Sequence, residues 1–580
     1  MVTDARTVAD GCGSASDADA SVAHHRLSAM SLLAGVLIAA LVLLLQVASG
    51  AYRAELNSYP DEPAHFVTGV FVHDWIAAGL SDWRRFGDRF YAHYPKVALG
   101  HWPPGFYLVQ GAWYAITGIS RTSALALMAF LSILLALLTA LLARRLAGGW
   151  LALPAAIVLV SNGLIQWYTA SVMTEIPMAL LTLAATAQYA AYLRRDHEVR
   201  SSLLFGLFAS AALLTKGSGF LLAGVPPVAI LLTRDWPRIR TWTFWLPVAV
   251  VLLLCGPWHL LTLRLQRQGL LHDSFSLDYT ARAVPYFGIE LARSLGPAGL
   301  GLLFIAVVAL IRKGSPGGNQ NRGSSDPLLA CLTAQLISSL LVCVLVPASF
   351  GARHLVPAIP PAVLLAFAAI RTLLDWLSRE SGRRLPGAAF VCVLLTMWLA
   401  RLTLHHKPPT GFQHAVRAIL DASASPHAVC LVCSDEIGDG GFIAEAITVG
   451  KRPGLFALRT SKLLATDSWD GRGYASKYDS AGAIQQLLTD LQVEFLVMDE
   501  SVFPEQRDSV HNQQVRELLT EFPEEWQDIA RFDRLDRGKR YPLSLRVLRR
   551  TAASPTPDPE TTLERVLHAQ GSKTGRGKGL

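Results

Sequence analysis

Charged residues are scarce in this sequence. Of its 580 residues only 17% are Asp, Glu, Lys or Arg, whereas 52% are hydrophobic. Because soluble domains carry about 25% charge, this composition excludes a wholly soluble protein. It also excludes a largely disordered chain, which needs low hydrophobicity and high net charge. The hydrophobic residues lie in long runs, so the chain is divided first into membrane spans.

Cysteine is scarce as well, with seven scattered residues. Cys430 and Cys433 form a CxxC motif, but no second CxxC completes a zinc site, and the surrounding run AVCLVCSD predicts a buried strand. Glycine motifs for nucleotides are also missing, because KGSG at 216–219 lacks the spacing of a P-loop. The net charge of +8 comes without a basic stripe interleaved with aromatics. We therefore expect no nucleotide or organic cofactor and no nucleic-acid partner.

About eleven hydrophobic runs are candidate membrane spans. The first run, 29–48, has the ~20 residues that cross a bilayer and predicts an uncleaved anchor. The others are 122–143, 150–166, 176–193, 201–215, 217–233, 242–263, 297–311, 328–347, 354–370 and 386–404. The run 105–118 holds fourteen residues, too few to cross ~30 Å upright, and predicts an interfacial or re-entrant helix.

The loop charges agree with that division if the N-terminus is cytoplasmic. Cytoplasmic connections of membrane proteins carry an excess of Lys and Arg. The predicted inside connections hold Arg144, Arg145, Arg194, Arg195, Arg200, Arg234, Arg238, Arg240, Arg312, Lys313, Arg322, Arg371, Arg379, Arg383 and Arg384. The short outside loops hold only Lys216 and Arg353. The pattern places the long loops 49–121 and 264–296 on the outside.

The sequence changes character after residue 404. Two short hydrophobic runs, 427–435 and 493–500, flank a segment with helical spacing at 481–491, and RVLRR near 546 suggests a last strand. The predicted fold is a polytopic α-helical membrane protein of about eleven spans plus interfacial helices, with a small C-terminal α/β extracytoplasmic domain. The predicted parts are a disordered cytoplasmic tail (1–28), a membrane module (29–404), the α/β domain (405–550) and a second disordered tail (551–580).

Ionisable residues at the predicted outer face are the candidate site. NSYPDEPAHF holds Asp61, Glu62 and His65 directly after the first span, where one carboxylate can face a reacting hydroxyl or a metal. The alternative is a helix cap, because Asp-Glu-Pro suits a helix start. In the same loop Lys96 and His101 precede a Trp-Pro-Pro turn and either hold a lipid phosphate or belong to an aromatic interfacial belt.

Three further segments carry ionisable residues to the same face. Glu175 opens one span, where it acts on substrate or caps the helix, and Lys216 lies in a tight outer hairpin against the charge bias. Arg353 and His354 open a late span. Arg282, in the second outer loop, adds another cation.

This set of residues resembles the C-type glycosyltransferase (GT-C) superfamily, specifically the protein O-mannosyltransferase and aminoarabinose transferase group that uses polyprenyl-phosphate sugars. The resemblance spans about residues 29–375, about 60% of the chain. Its most specific element is the Asp61–Glu62 pair after the first span. Lys96 with Trp-Pro-Pro, Glu175 at a position that is commonly Asp, Lys216 in a Leu-x-Lys hairpin, and Arg353-His354-Leu355 match further family motifs.

The resemblance implies an inverting transfer of a sugar from polyprenyl phosphate to a hydroxyl. It implies Asp61 as the base, Glu62 as its partner or a substrate contact, and Lys96, Lys216 and Arg353 as phosphate ligands. His65, His101, Arg282 and His354 are candidate substrate contacts, and Asp61 with Glu175 are candidate ligands of a divalent metal. The expected partners are the bilayer, the lipid donor and a glycan, lipid or protein acceptor of the cell envelope, at the outer face of the plasma (inner) membrane.

Two other classes of function remain open. A lipid-linked sugar flippase would also expose charges near the membrane, although paired halves with discontinuous helices, typical of transporters, are not evident in the sequence. A member that has lost catalysis would use its external domain as a binding module.

Overall fold

The computed structural model describes residues 32–270, 275–313, 326–381, 385–399, 403–466, 473–500, 509–534, 543–552 and 558–569. The tail predicted over 1–28 lies outside these residues. The α-helices are α1 (Leu32–Ala48), α2 (Asp61–Ala77), α3 (Trp83–His93), α4 (Gly105–Thr117), α5 (Arg121–Ala147), α6 (Gly149–Ser161), α7 (Gly163–Thr169), α8 (Glu175–Leu193), α9 (Glu198–Thr215), α10 (Val225–Thr233), α11 (Trp242–Leu270), α12 (Leu277–Lys313), α13 (Pro327–Leu345), α14 (Ile359–Ser381), α15 (Leu385–Leu399), α16 (Phe412–Ala422), α17 (Glu436–Val449), α18 (Thr460–Leu463), α19 (Ala481–Asp490), α20 (Val510–Glu521) and α21 (Pro559–Ala569). Short 3₁₀ helices are Gly217–Gly224, Trp236–Arg240, Ala352–Ala358 and Pro523–Glu525. The strands are β1 (Val429–Cys433), β2 (Phe456–Arg459), β3 (Ala465–Thr466), β4 (Ala475–Ser476), β5 (Val493–Asp499), β6 (Trp526–Arg534) and β7 (Leu543–Arg550).

The first large unit is a bundle of apolar helices. Among the described residues, seven helices are long and apolar enough to cross a membrane, or eight if the bent pair α6–α7 forms one span. The prediction of a polytopic helical membrane protein is confirmed, and the count of eleven crossings stays a prediction. The short helix predicted at 105–118 is α4, which has 13 residues and ends at Thr117, with Gly118 as its C-cap.

Two predicted segments differ from the structure. The run 150–166 is not one straight helix, because Asn162 accepts hydrogen bonds from the backbone of Leu164 and Ile165 and starts α7 at 69° to α6. The segment predicted as an outer loop at 264–296 is largely helical. Helix α12 begins at Leu277, and its break at Gly296, whose φ is 66°, falls directly before the predicted span 297–311. The outer position of this segment stays a prediction.

The second unit is a five-stranded sheet in the order β2-β1-β5-β7-β6. Strands β1, β2 and β5 are parallel, whereas β7 runs antiparallel to β5 and β6. Strands lie where the sequence predicts them at 427–435, 493–500 and near 546. Cys430 and Cys433 are buried free thiols in β1, so the prediction of strand cysteines is confirmed.

The predicted disordered tail at 551–580 contains a helix, so that prediction is wrong for 559–569. Leu563 and Val566 of α21 are buried against the hydrophobic core of the sheet, and Glu560 pairs with Arg89 of α3 at 3.1 Å. The Pro- and Thr-rich composition hides this short amphipathic segment. Residues 553–557 and 570–580 lie outside the described part of the chain.

The sheet region is docked on the loop that follows α1. The Glu55 carboxylate is buried and accepts hydrogen bonds from the backbone of Thr410 (2.6 Å) and Gly411 (2.9 Å), which caps the start of α16. The rings of His93 and Phe456 stack with centroids 3.8 Å apart. These contacts join residues more than 300 positions apart and fix the sheet next to α2 and α3.

Another buried carboxyl at this interface provides a test of the docking. Burial raises the pKa of Glu445 from 4.5 to about 7, and Arg121, 3.7 Å away, offsets part of that effect. A carboxyl whose pKa is raised by folding reduces stability as the pH rises from its unfolded to its folded pKa. Glu445→Gln is therefore expected to raise the melting temperature of the purified protein at pH 8 and to leave it unchanged at pH 5. The same shift at both pH values, or none at pH 8, would contradict the burial of this group.

Candidate active site

Asp61 and Arg353 form the first of two ion pairs. Asp61 is the first residue of α2, and Arg353 lies in the 3₁₀ turn before α14. Arg353 Nη1 donates to Asp61 Oδ2 at 2.6 Å, and the guanidinium lies 4.9 Å from the ring centroid of Tyr59. Burial raises the pKa of Asp61, but the charge and hydrogen bond of Arg353 together with the charges of His65 and Lys216 outweigh burial, so this pKa lies below the usual 3.8. The Asp61 side chain is 28% exposed and can still meet a ligand.

Glu175 and Lys216 form the second pair. Lys216 Nζ donates to Glu175 Oε1 at 2.7 Å, and both side chains are buried. The other carboxylate oxygen of Glu175 is buried without a hydrogen-bond partner among the described residues. The Lys216 ammonium lies 5.6 Å from the ring centroid of Trp102, within cation–π range.

His65 and Trp102 connect the two pairs. His65 lies one helical turn after Asp61 on α2, and its ring centroid is 5.2 Å from that of Trp102. Its Nδ1 is 2.9 Å from the hydroxyl of Tyr107, while its Nε2 is buried without a hydrogen-bond partner in the described structure. Burial lowers the pKa of His65 to about 4, even though Asp61 and Glu175 oppose that shift. A neutral imidazole therefore lies between two carboxylate–cation pairs.

Lys96 is held by the sheet region. Its Nζ donates to the carbonyl of Glu436 at 2.9 Å, next to the buried pair of Asp439 and Arg459 (3.0 Å). Burial and then the charge of Arg459 lower the pKa of Lys96 to about 7. Helices α17 and α2 touch here, and a Cβ at Gly440 would collide with Pro63. The ammonium has three N–H donors, so its bond to the Glu436 carbonyl leaves donors for a phosphate.

Glu62 is completely buried beside Asp61. Its carboxylate accepts hydrogen bonds from the backbone of Ser58 (2.7 Å) and Val172 (3.0 Å) and from Lys407 Nζ (3.0 Å). Both oxygens are bound and the side chain is 0% exposed, so this geometry favours a structural role over the substrate contact that the resemblance implies. Lys407 was not a candidate on sequence grounds.

The remaining candidates have other contacts. His101 is partly buried in the turn before α4, where Leu99 and Trp102 form a backbone bridge. Arg282 is exposed, pairs with Asp278 at 3.1 Å and lies 5.7 Å from the ring centroid of Phe350. His354 Nε2 is 2.9 Å from the hydroxyl of Ser349. Their substrate contacts stay predictions.

The predicted metal ligands do not form a metal site in this arrangement. No group of three or more His, Cys, Asp or Glu side chains in the described part of the chain is placed to hold a metal ion. Asp61 and Glu175 each already bind a cationic side chain. A metal ion at these carboxylates would lie against the positive charges of Arg353 and Lys216, so no catalytic step is assigned to one.

Solved structures with the same fold include two lipid-binding enzymes of the membrane. ArnT from Cupriavidus metallidurans bound to undecaprenyl phosphate is 14% identical, with 90% of this chain and 99% of that chain covered and a TM-score of 0.53. The Archaeoglobus fulgidus oligosaccharyltransferase AglB in complex with an inhibitory peptide and a dolichol-phosphate is 13% identical, with 82% and 70% covered and a TM-score of 0.51. The A. fulgidus oligosaccharyltransferase complex with Zn and sulfate is 12% identical, with 81% and 68% covered and a TM-score of 0.50.

These similarities define the class of fold. The chain is a membrane protein with the GT-C fold, as the sequence resemblance implies. No protein-family model matches the sequence, and a search of curated proteins finds no significant match. The activity therefore has to be argued from the two ion pairs.

Proposed function

We propose that this protein is an inverting glycosyltransferase that moves a hexosyl or pentosyl group from a polyprenyl-phosphate donor to a hydroxyl acceptor. The proposal rests on one observation: the ion pairs Asp61–Arg353 and Glu175–Lys216 both lie close enough to His65 to interact with it electrostatically. Four segments far apart in sequence contribute to this cluster. A structural role alone does not explain why Asp61 stays partly exposed.

The two kinds of charge suit the two ends of the reaction. As the acceptor oxygen attacks the anomeric carbon, Asp61 takes the hydroxyl proton. The bond from that carbon to the phosphate oxygen breaks, and its electron pair leaves with the polyprenyl phosphate. Arg353 and Lys216 neutralise the charge that develops there. Direct displacement inverts the anomeric configuration.

Donor binding would also activate Asp61. In the structure described here Arg353 holds the pKa of Asp61 low, which makes this carboxylate a weak base. A donor phosphate competes for the same guanidinium, because Arg binds phosphate and carboxylate with the same fork of N–H donors. The pKa of Asp61 then rises toward its usual value once the donor is in place.

The orientation of the helices supports an extracytoplasmic site. Glu175 begins α8 and Lys216 follows α9, whereas Arg194 follows α8 at its opposite end and Arg144 and Arg145 end α5. Basic residues mark the cytoplasmic ends of membrane helices. The ion pairs therefore belong to the outer face, and we place the protein in the plasma (inner) membrane.

The structural relatives support the choice of substrates. ArnT is bound to undecaprenyl phosphate, and AglB to a dolichol-phosphate and a peptide. A lipid phosphate donor and an acceptor from the cell envelope, whether glycan, lipid or protein, fit this precedent. A Zn-bound relative leaves a divalent metal as part of the expectation, although Asp61 and Glu175 do not fit one as arranged.

The proposal is tested by incubating the purified protein with a panel of polyprenyl-phosphate hexoses and pentoses and cell-envelope extract. At least one donor is expected to release polyprenyl phosphate, with the sugar appearing on a new product. Release from none of the donors would contradict the proposal and favour a transport or binding function.

A further inference from the structure

A buried lysine joins the segments that carry Asp61 and Glu175. Lys407 Nζ lies 3.0 Å from Glu62 Oε1 and donates to the carbonyl of Ala170 at 2.8 Å, and its side chain is only 4% exposed. The backbone N–H of Val172 binds the same Glu62 oxygen at 3.0 Å. We call Glu62, Lys407 and the backbone of 170–172 the clasp.

The clasp joins segments that adjoin both ion pairs. Glu62 directly follows Asp61 on α2, and residues 170–172 lie just before Glu175. Lys407 comes from a third segment, 403–411, which precedes the sheet region, and its backbone N–H donates to the carbonyl of Ser49 at 2.7 Å. The clasp therefore ties the segment that carries Asp61 to the segment that carries Glu175.

We infer that Lys407 is a positioning residue of the active site, acting through Glu62 on Asp61 and through the 170–172 backbone on Glu175. This inference rests on the proposed function. Each of its contacts ends on a fully or almost fully buried group, where geometry and charge are held most strictly. The segment that leads to the sheet region thus completes the site.

The charge of Lys407 matters as much as its position. Without it, the Glu62 carboxylate is buried and unpaired, which is the costly way to break a buried ion pair. The residual negative charge next to Asp61 would raise the pKa of Asp61. The double variant Glu62→Gln with Lys407→Met removes both charges and keeps an amide oxygen for the Val172 N–H. It should therefore lose less activity than Lys407→Met alone.

The test measures kcat, donor KM and the pH dependence of kcat for four proteins in parallel: wild type, Lys407→Met, the double variant and Lys451→Met, which alters an exposed lysine. Lys407→Met is expected to lower kcat at least about 100-fold, with a smaller change in KM and an acid limb moved to higher pH. The kcat of the double variant should be at least about tenfold higher than that of Lys407→Met, and the acid limb of its pH profile should return to the wild-type position. Lys451→Met should match the wild type in kcat, KM and pH profile.

Distinct results separate the two claims. If the wild type transfers sugar and Lys407→Met keeps its kcat and pH profile, the positioning role is overturned. If Lys407→Met fails to fold, Lys407→Arg, which preserves the charge, takes its place. This variant should keep the acid limb of the wild-type pH profile and have a reduced kcat. An unchanged kcat would overturn the inference. If the wild type transfers no sugar from any donor, the proposed function itself fails.

Discussion

Asp61→Asn is expected to lower the rate of sugar transfer at least about 1,000-fold and to leave the protein folded and inserted. Asparagine is nearly the same size and still offers an oxygen to Arg353, so the contact at 2.6 Å need not be lost. It cannot take a proton at any working pH, and general base catalysis contributes about 10²–10⁴-fold to such reactions. Release of polyprenyl phosphate under single-turnover conditions measures the effect.

The matched control for this substitution is Asp479→Asn. Asp479 is an exposed aspartate of the sheet region, so its amide variant should transfer sugar at the wild-type rate. Both variants should elute as the wild type does in gel filtration and keep its melting temperature. Full activity of Asp61→Asn under these conditions would rule out Asp61 as the base.

Lys216→Met is expected to lower donor kcat/KM by about 100- to 1,000-fold. The substitution removes a cation from the departing phosphate, and single donors to a developing oxyanion contribute about that much. It also leaves Glu175 buried without its partner at 2.7 Å. Steady-state kinetics with varied donor concentration measure the loss, and Lys451→Met serves as the control.

The double variant Glu175→Gln with Lys216→Met separates the two effects. If Lys216 only neutralises Glu175, removal of both charges should restore most of the activity, because no unpaired charge stays buried. If Lys216 neutralises the phosphate, the double variant should remain as impaired as the single one. We expect the second result, and restored activity would reassign Lys216 to a structural role.

Much of the ion-pair cluster could be predicted from single positions. Lys216 and Arg353 stand out because the inside bias leaves few cations in outer loops, and Asp61 and Glu175 stand out as carboxylates near a span. The sequence could not show which carboxylate binds which cation. Asp61 and Arg353 are 292 residues apart, and their pairing depends on how the helices pack.

The clasp escaped prediction for a related reason. Lys407 follows the last apolar run in HHKPP, where a lysine is typical of a solvated loop. Only the docking of the sheet region buries it against Glu62. Glu55 is similar, since its carboxylate caps α16 across the interface rather than the helix that follows it.

The helical bundle shows how hydropathy fails at helix breaks. Asn162 lies within an apolar run and looks neutral in a window average, yet its side chain caps α7 and bends the chain by 69°. Conversely, the charges before Gly296 lower the window average without ending α12. The positions of these helix breaks depend on side-chain hydrogen bonds and backbone dihedral angles, and a hydropathy average contains neither.

Breakage of the bond between sugar and lipid phosphate is the step that distinguishes this enzyme from a flippase. It is measured in proteoliposomes that carry a polyprenyl-phosphate sugar labelled in the sugar, with acceptor outside, by following the label in the wild type and Asp61→Asn. We expect the wild type to move the label from the lipid to the acceptor and Asp61→Asn to leave it on the lipid. Label that crosses the bilayer still attached to the lipid, equally in both proteins, would contradict this expectation.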